Sequence, residues 1–209
     1  MTTLSRSGVA THIIEHDPSF IEVVRLAGSP PARRNAPVAQ RFADLVECIV
    51  SQLLATAAAD TIHARVVEAC GGDVDEDAIL AVGADTIRSA GLSRTKAGAI
   101  VELARFIRDG QIDLGRHGRM SDEQIARELT AVRGIGPWTV QMYLMHTLAR
   151  RDVWPTGDYG VRAGWSVVHN LDEIISERGL KDEGARFNGV RSDVAWYCWQ
   201  ALHFSRAAK

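Results

Sequence analysis

Covalent cross-links, membrane spans and a bulk surplus of charge are all poorly provided for in these 209 residues. Three cysteines, Cys48, Cys70 and Cys198, are too few and too scattered for a disulfide framework, a four-thiolate metal site or an iron–sulfur cluster, and no metal site is expected. Burial as reduced thiols is their ordinary fate. Residues 1–20 lack the apolar run of a signal peptide and are interrupted by Asp17-Pro18. The most apolar stretch, 42–59, is broken by Asp44, Glu47, Ser51 and Gln52, which excludes a membrane span. The expectation is a soluble, cytoplasmic protein with no membrane partner. A net charge of −2 excludes a protein that attracts phosphate globally, so any nucleic-acid contact must come from local basic groups and backbone amides.

Alternating strands of convincing length are also missing, whereas helical spacing is everywhere. Phe42, Leu45, Val46, Ile49 and Leu53 recur at three- and four-residue steps after Pro37, and Ile62, Val66 and Ala69 continue until Gly71-Gly72. Ser93 has the place of an N-cap for a stripe of Ile100, Leu103, Ala104 and Ile107 that ends before Gly110. Ser121 and Gln124 form a capping-box pattern ahead of Ile125, Leu129 and Val132. Further helices are predicted from Trp138 to about Leu148 and from about Ser192 to Phe204. The chain is therefore read as all-α, with its clearest linkers at 28–37 and 150–157.

The most informative segment is Leu129-Thr-Ala-Val-Arg-Gly-Ile-Gly-Pro-Trp-Thr-Val140. A capped helix runs into Gly134-Ile135-Gly136, and a second helix begins at once. Two glycines around one apolar residue permit a turn forbidden to larger side chains. They also leave amides at the second helix's start facing outward, where a phosphate can accept them. Taken alone, the segment reads more simply as a tight connection between helices with no ligand. Further on comes Val153-Trp-Pro-Thr-Gly-Asp158-Tyr-Gly-Val-Arg162, in which Asp158 has the place of a helix N-cap.

Together these segments resemble the helix-hairpin-helix DNA glycosylase superfamily, named for its hairpin, its Gly/Pro-rich loop and its aspartate. The resemblance takes in Ile49-Val-Ser-Gln-Leu-Leu54, Gly91-Leu-Ser-Arg-Thr-Lys96, Arg191-Ser192 and the stretch from Trp196 to Trp199, and it covers the chain from about residue 40 onward. The nearest branch is similar to DNA-3-methyladenine glycosylase II and related alkylbase glycosylases. The resemblance implies two helical subdomains flanking a DNA-binding cleft with the hairpin at the junction: residues 38–150 as one, and 1–37 with 151–209 as the other. The short N-terminal segment is expected to leave no room for the β-rich domain of longer relatives.

By the same resemblance Asp158 is the catalytic carboxylate. Cleaving an N-glycosidic bond builds positive charge on the deoxyribose, which a nearby carboxylate can stabilise while it orients or deprotonates water. A second branch of the superfamily carries a lysine nucleophile just after the hairpin glycines; Trp138 occupies that position here, so no Schiff base and no strand nicking are expected. Cationic alkylpurines are good leaving groups that suit a pocket of electron-rich rings, each worth about 0.5–2 kcal/mol of cation–π attraction. Trp138 and Trp199 match pocket aromatics of the resembled enzymes, and Tyr143, Met142 and Tyr159 complete the candidate pocket; Trp154 is a weaker candidate for it, and Trp165 and Trp196 are more simply core. Met142 stands where a well-known member has a tyrosine, and Gly157 replaces an acid that often precedes the aspartate.

A base must leave the duplex before it can react, at a cost of a few kcal/mol. Leu53 is the candidate wedge for the gap, with Gln52 and Leu54 beside it, although it equally continues the apolar stripe from Phe42. The hairpin residues Gly134, Ile135, Gly136 and Thr139 are the candidate DNA backbone contacts, joined by Arg94, Lys96 and the pair Arg150-Arg151. No cofactor is required, though the resemblance allows a K+ or Na+ ion on hairpin carbonyls. The expected partner is double-stranded DNA with alkylated bases, bound by a monomer. The alternatives are a non-catalytic helix-hairpin-helix DNA-binding module, which needs neither the Asp loop nor the tryptophans, and a glycosylase-lyase for oxidised bases.

Overall fold

The computed structural model describes residues 6–207, so 1–5 and 208–209 of the second predicted subdomain lie outside the described residues. Among the described residues there are eleven α-helices and no strand. The chain divides into two compact units, Arg34–Ala149 and the described parts of Met1–Arg33 with Arg150–Lys209.

The first unit contains α3 (Arg41–Ser51), α4 (Thr56–Ala69), α5 (Glu76–Ser89), α6 (Arg94–Arg108), α7 (Asp122–Thr130) and α8 (Pro137–Met142). Three of these helices begin where a short polar side chain accepts a first-turn amide. Asp75 caps α5, Ser93 caps α6, and Ser121 with Gln124 forms the reciprocal box that starts α7. The apolar faces follow the three- and four-residue spacing: Phe42, Leu45, Val46 and Ile49 of α3 are buried, as are Ile100, Leu103 and Ala104 of α6 and Ile125 and Leu129 of α7. Cys48, on α3, is half-buried.

The helix expected from Trp138 to Leu148 changes character midway. After Met142 the backbone widens into a π-helical turn over Tyr143–Thr147, where the Leu148 N–H reaches back to the Tyr143 carbonyl at 3.1 Å. The widened turn carries Tyr143, whose side chain is wholly buried and whose hydroxyl lies 3.1 Å from His117 Nδ1. His117 Nε2 faces Glu128 at 3.2 Å. Burial lowers the pKa of His117 from the ordinary histidine value, outweighing the nearby carboxylate of Glu128. A neutral ring then donates from Nε2 to Glu128 and accepts the Tyr143 hydroxyl at Nδ1.

The second unit contains α1 (Arg6–His16), α2 (Ile21–Ala27), α9 (Tyr159–Val168), α10 (Glu177–Glu183) and α11 (Arg191–Ala207). Trp165 lies at its centre, stacked on His169 at 4.2 Å between ring centroids and edge-on to Phe20 and Phe187. Asp17 accepts His169 Nε2 at 2.8 Å, which ties the end of α1 to the end of α9. α9 and α11 touch through backbone. A Cβ placed on Gly164 would fall 1.8 Å from the Cys198 carbonyl oxygen, so no residue with a side chain fits there. Cys198 itself is fully buried.

Candidate active site and nucleic-acid interface

The loop ahead of α9 is fastened before it delivers Asp158. Arg191 grips Asp152 with two hydrogen bonds of 2.7 and 2.8 Å, and the Gly189 N–H adds a third at 2.7 Å. Burial opposes ionisation of Asp152, but these donors outweigh it and hold the carboxyl below its ordinary value. Ser192 Oγ accepts the Val153 N–H at 3.0 Å and donates to the Arg150 carbonyl at 2.8 Å. The Trp154 indole N–H donates to the Leu180 carbonyl at 2.8 Å. Thr156 then bonds Glu177, whose carboxylate stands beside Gly157.

Asp158 closes this loop and opens the next helix. Its N–H donates to Pro155 O, and its extended backbone (φ −73°, ψ 123°) turns the carboxylate back over the first turn of α9. There Oδ1 accepts the Val161 N–H at 2.7 Å, an N-cap at the positive end of the helix. The same Oδ1 accepts the Trp199 indole N–H at 2.9 Å, a bond between residues 41 apart in sequence. Tyr159, next in the chain, is 56% exposed.

In the other unit, Gly134 turns the chain with φ 97°, a left-handed angle suited to glycine, and a Cβ there would lie 2.9 Å from that of Ala99. Pro137 then begins α8, where its missing N–H costs nothing. Gln52 braces this hairpin from the end of α3: its amide nitrogen donates to the Gly134 carbonyl at 3.1 Å and to Thr139 Oγ1 at 2.8 Å. The Lys96 ammonium donates to the Val50 and Gln52 carbonyls at 2.8 and 2.6 Å, supplying the end of α3 with donors. Between these fixed points Leu53 stands out, 103% exposed with φ 54°, while Leu54 is 39% exposed. A leucine held left-handed with no core contact is strained and undesolvated at once, a combination typical of functional positions.

Several expected site residues have other work. Tyr143 leaves the candidate pocket because its ring is wholly buried against His117, and Met142 is only 6% exposed. Lys96 is corrected from a phosphate contact to a helix-end brace, because its ammonium is committed to two carbonyls. The Thr139 hydroxyl is buried against Gln52, and Gln52 acts on the hairpin. Ile135 does not offer its amide outward: its N–H donates to the Val132 carbonyl, and its side chain is buried. Trp138 is half-buried at the start of α8, Gly136 is half-exposed, and Arg94 is exposed. Arg151 lies 3.6 Å from Asp193 in an ion pair. Spacing could not reveal the Trp199 bond or Glu177 beside Gly157, since each joins segments far apart in the chain. Among the described residues no group of His, Cys, Asp or Glu is gathered to hold a metal, and no helix is long and apolar enough to cross a membrane.

A glycine hairpin braced by Gln52 and a capping aspartate fastened to a distant tryptophan define a class. The chain belongs to the HhH-GPD superfamily of base excision DNA repair proteins, whose pattern matches residues 46–186. It is similar to DNA-3-methyladenine glycosylase 1 of Schizosaccharomyces pombe, with 27% identity over 203 residues that cover 96% of this chain and 88% of that protein. A putative DNA-3-methyladenine glycosylase of Bacillus subtilis is 28% identical over 76% of this chain; the match spans 58% of that longer relative. The fold is similar to the solved 3-methyladenine DNA glycosylase of S. pombe in complex with abasic DNA, with a TM-score of 0.85, 27% identity and coverage of 92% of this chain and 95% of that one.

Proposed function

We propose that this protein is a monofunctional DNA glycosylase that hydrolyses the N-glycosidic bond of alkylated purines, such as 3-methyladenine, to leave an abasic site. The observation that carries this reading is the Asp158 carboxylate, fixed at the head of α9 by Val161 and Trp199. As the C1′–N bond lengthens, its electron pair leaves with the base and positive charge spreads over C1′ and the ring oxygen of the sugar. Asp158 stabilises that charge and accepts a proton from the water that adds to C1′. A cationic base departs neutral, so no strong general acid is needed.

Double-stranded DNA carrying alkylated bases is the proposed partner of a monomer. Trp138, in the place of the lyase branch's lysine, is a candidate cation–π surface and offers no amine to trap the sugar. Leu53 is the proposed wedge; its full exposure supports that role over a place in the apolar stripe. A K+ or Na+ ion on the hairpin fits hard carbonyl oxygens, and Val132 and Gly134 each accept one hydrogen bond within the unit while a carbonyl has two lone pairs. Such an ion would add positive charge where a DNA phosphate lies.

Incubation with methylated duplex DNA, scoring freed base and strand breaks separately, tests the reaction. Freed base with breaks only after alkali is expected. Neither product would leave a DNA-binding module, and breaks without alkali would make it a lyase. For the wedge, Leu53→Gly is expected to leave the urea midpoint almost unchanged, since glycine accepts φ 54° and no core contact is lost. Base release from duplex should fall several-fold; an unaltered rate would exclude Leu53 as the wedge.

A further inference from the structure

We infer that Trp199 is a positioning residue for Asp158, and that Gly160 is the residue that gives the indole access to it. The inference rests on the reading of Asp158 as the catalytic carboxylate.

Asp158 Oδ1 takes two donors from different directions: the Val161 N–H, from its own helix at 2.7 Å, and the Trp199 Nε1–H, from α11 at 2.9 Å. One donor would hold the oxygen while the carboxylate still turned about it. Two fix the plane of the group. A carboxylate already oriented needs no rearrangement when charge develops on the sugar, and this preorganisation is where electrostatic catalysis gains most.

Other buried tryptophans show what a packing role looks like here. Trp154 is 9% exposed and gives its N–H to a backbone carbonyl; Trp165 is 2% exposed within a cluster of rings. Trp199 is less buried than either, and its N–H goes to the ionisable side chain of the cap.

The approach of the indole is written into one face of α9. A Cβ on Gly160 would lie 2.8 Å from Trp199 Cδ1, 3.0 Å from Nε1 and 3.1 Å from Asp158 Oδ1. Even alanine therefore enters the space between donor and acceptor. One turn on, Gly164 lets α9 meet the backbone of Cys198, the residue before Trp199. Gly164 sets the distance between the helices; Gly160 keeps clear the gap across which the bond forms.

Single-turnover base release, melting temperature and affinity for duplex containing an abasic-site analogue form the test. Trp199→Phe keeps the ring and removes the donor. Release is expected to fall about tenfold, with affinity within about twofold of the parent. Gly160→Ala keeps both residues but pushes the half-buried indole aside, so release is expected to fall similarly while the melting temperature falls less than in Gly164→Ala, where the clash is with backbone. This variant keeps the question answerable should Trp199→Phe fold poorly. In an Asp158→Asn background the further loss from Trp199→Phe should shrink below twofold, because the two act through one group. A tenfold loss persisting in that background would mean that the ring acts on the base directly and would overturn the inference, as would a full rate in Trp199→Phe or Gly160→Ala. A full rate in Asp158→Asn alone would bring down the reading of Asp158 and this inference together. An inactive Asp158→Asn beside an intact Trp199→Phe would bring down the inference alone.

Discussion

In an Asp158→Asn variant, base release from alkylated duplex is expected to fall at least tenfold, about 1.4 kcal/mol in barrier height, while binding to the same duplex persists. The substitution isolates charge from geometry. Asparagine is as good an N-cap as aspartate, and its carbonyl oxygen can still accept the Val161 amide and the Trp199 indole. The loop stays fastened through Arg191, Asp152 and Ser192, none of which is touched. On the proposed mechanism, what is lost is the negative charge that stabilises the sugar cation and the base for the incoming water. Single-turnover release and equilibrium binding, measured on one duplex, separate the two effects. A parental rate would remove Asp158 from the chemistry.

Gly164→Ala is expected to produce the largest loss of stability. Its Cβ would meet the carbonyl oxygen of Cys198 at 1.8 Å and the carbonyl carbon at 2.4 Å, and neither backbone atom can swing aside as a side-chain tip can. α9 and α11 must therefore separate along their contact. Overpacking of a core costs about 1–3 kcal/mol or more. At the upper end, and for a chain of this size, the melting temperature should drop by roughly 6–12 °C. Base release should fall as well, because Trp199 follows Cys198 and would be carried away from Asp158. A melting temperature within a degree of the parent would show that the helix contact yields more readily than its geometry implies.

Local features were legible in the sequence and tertiary ones were not. Ser93, Ser121 and Asp158 each occupy the N-cap position that their neighbours suggested, because capping is decided within four residues. The apolar stripes of α3, α6 and α7 pointed to buried faces for the same reason, except at Leu53, which lies beyond the end of α3 and is fully exposed. Tyr143 misled: the resemblance offered it as a pocket aromatic, but it sits on the π-helical turn and its hydroxyl lies against His117, 26 residues away. Lys96 misled because a surface lysine and one that closes a neighbouring helix look alike until the helix end is located. Gly160 and Gly164 carried no local signal, since nothing in a single helix shows which other helix must come close.

The three thiols have a bearing on the surroundings in which such a protein works. Burial pushes the Cys48 thiol up to about 12, helped by the charges of Glu47 and Asp44. Burial, with Asp158 and Asp17 nearby, lifts Cys198 further above its ordinary range, and Cys70 is raised as well, by burial and by Asp75. Because the thiolate is the reactive form, a thiol titrating near 12 presents roughly one part in 10⁵ of it at neutral pH. Methylating agents react with the same soft sulfur anions, and Cys48 and Cys198 offer almost none of them. The burial that packs α3 and α11 thus also shields these two thiols from the reagents whose lesions the protein is proposed to erase.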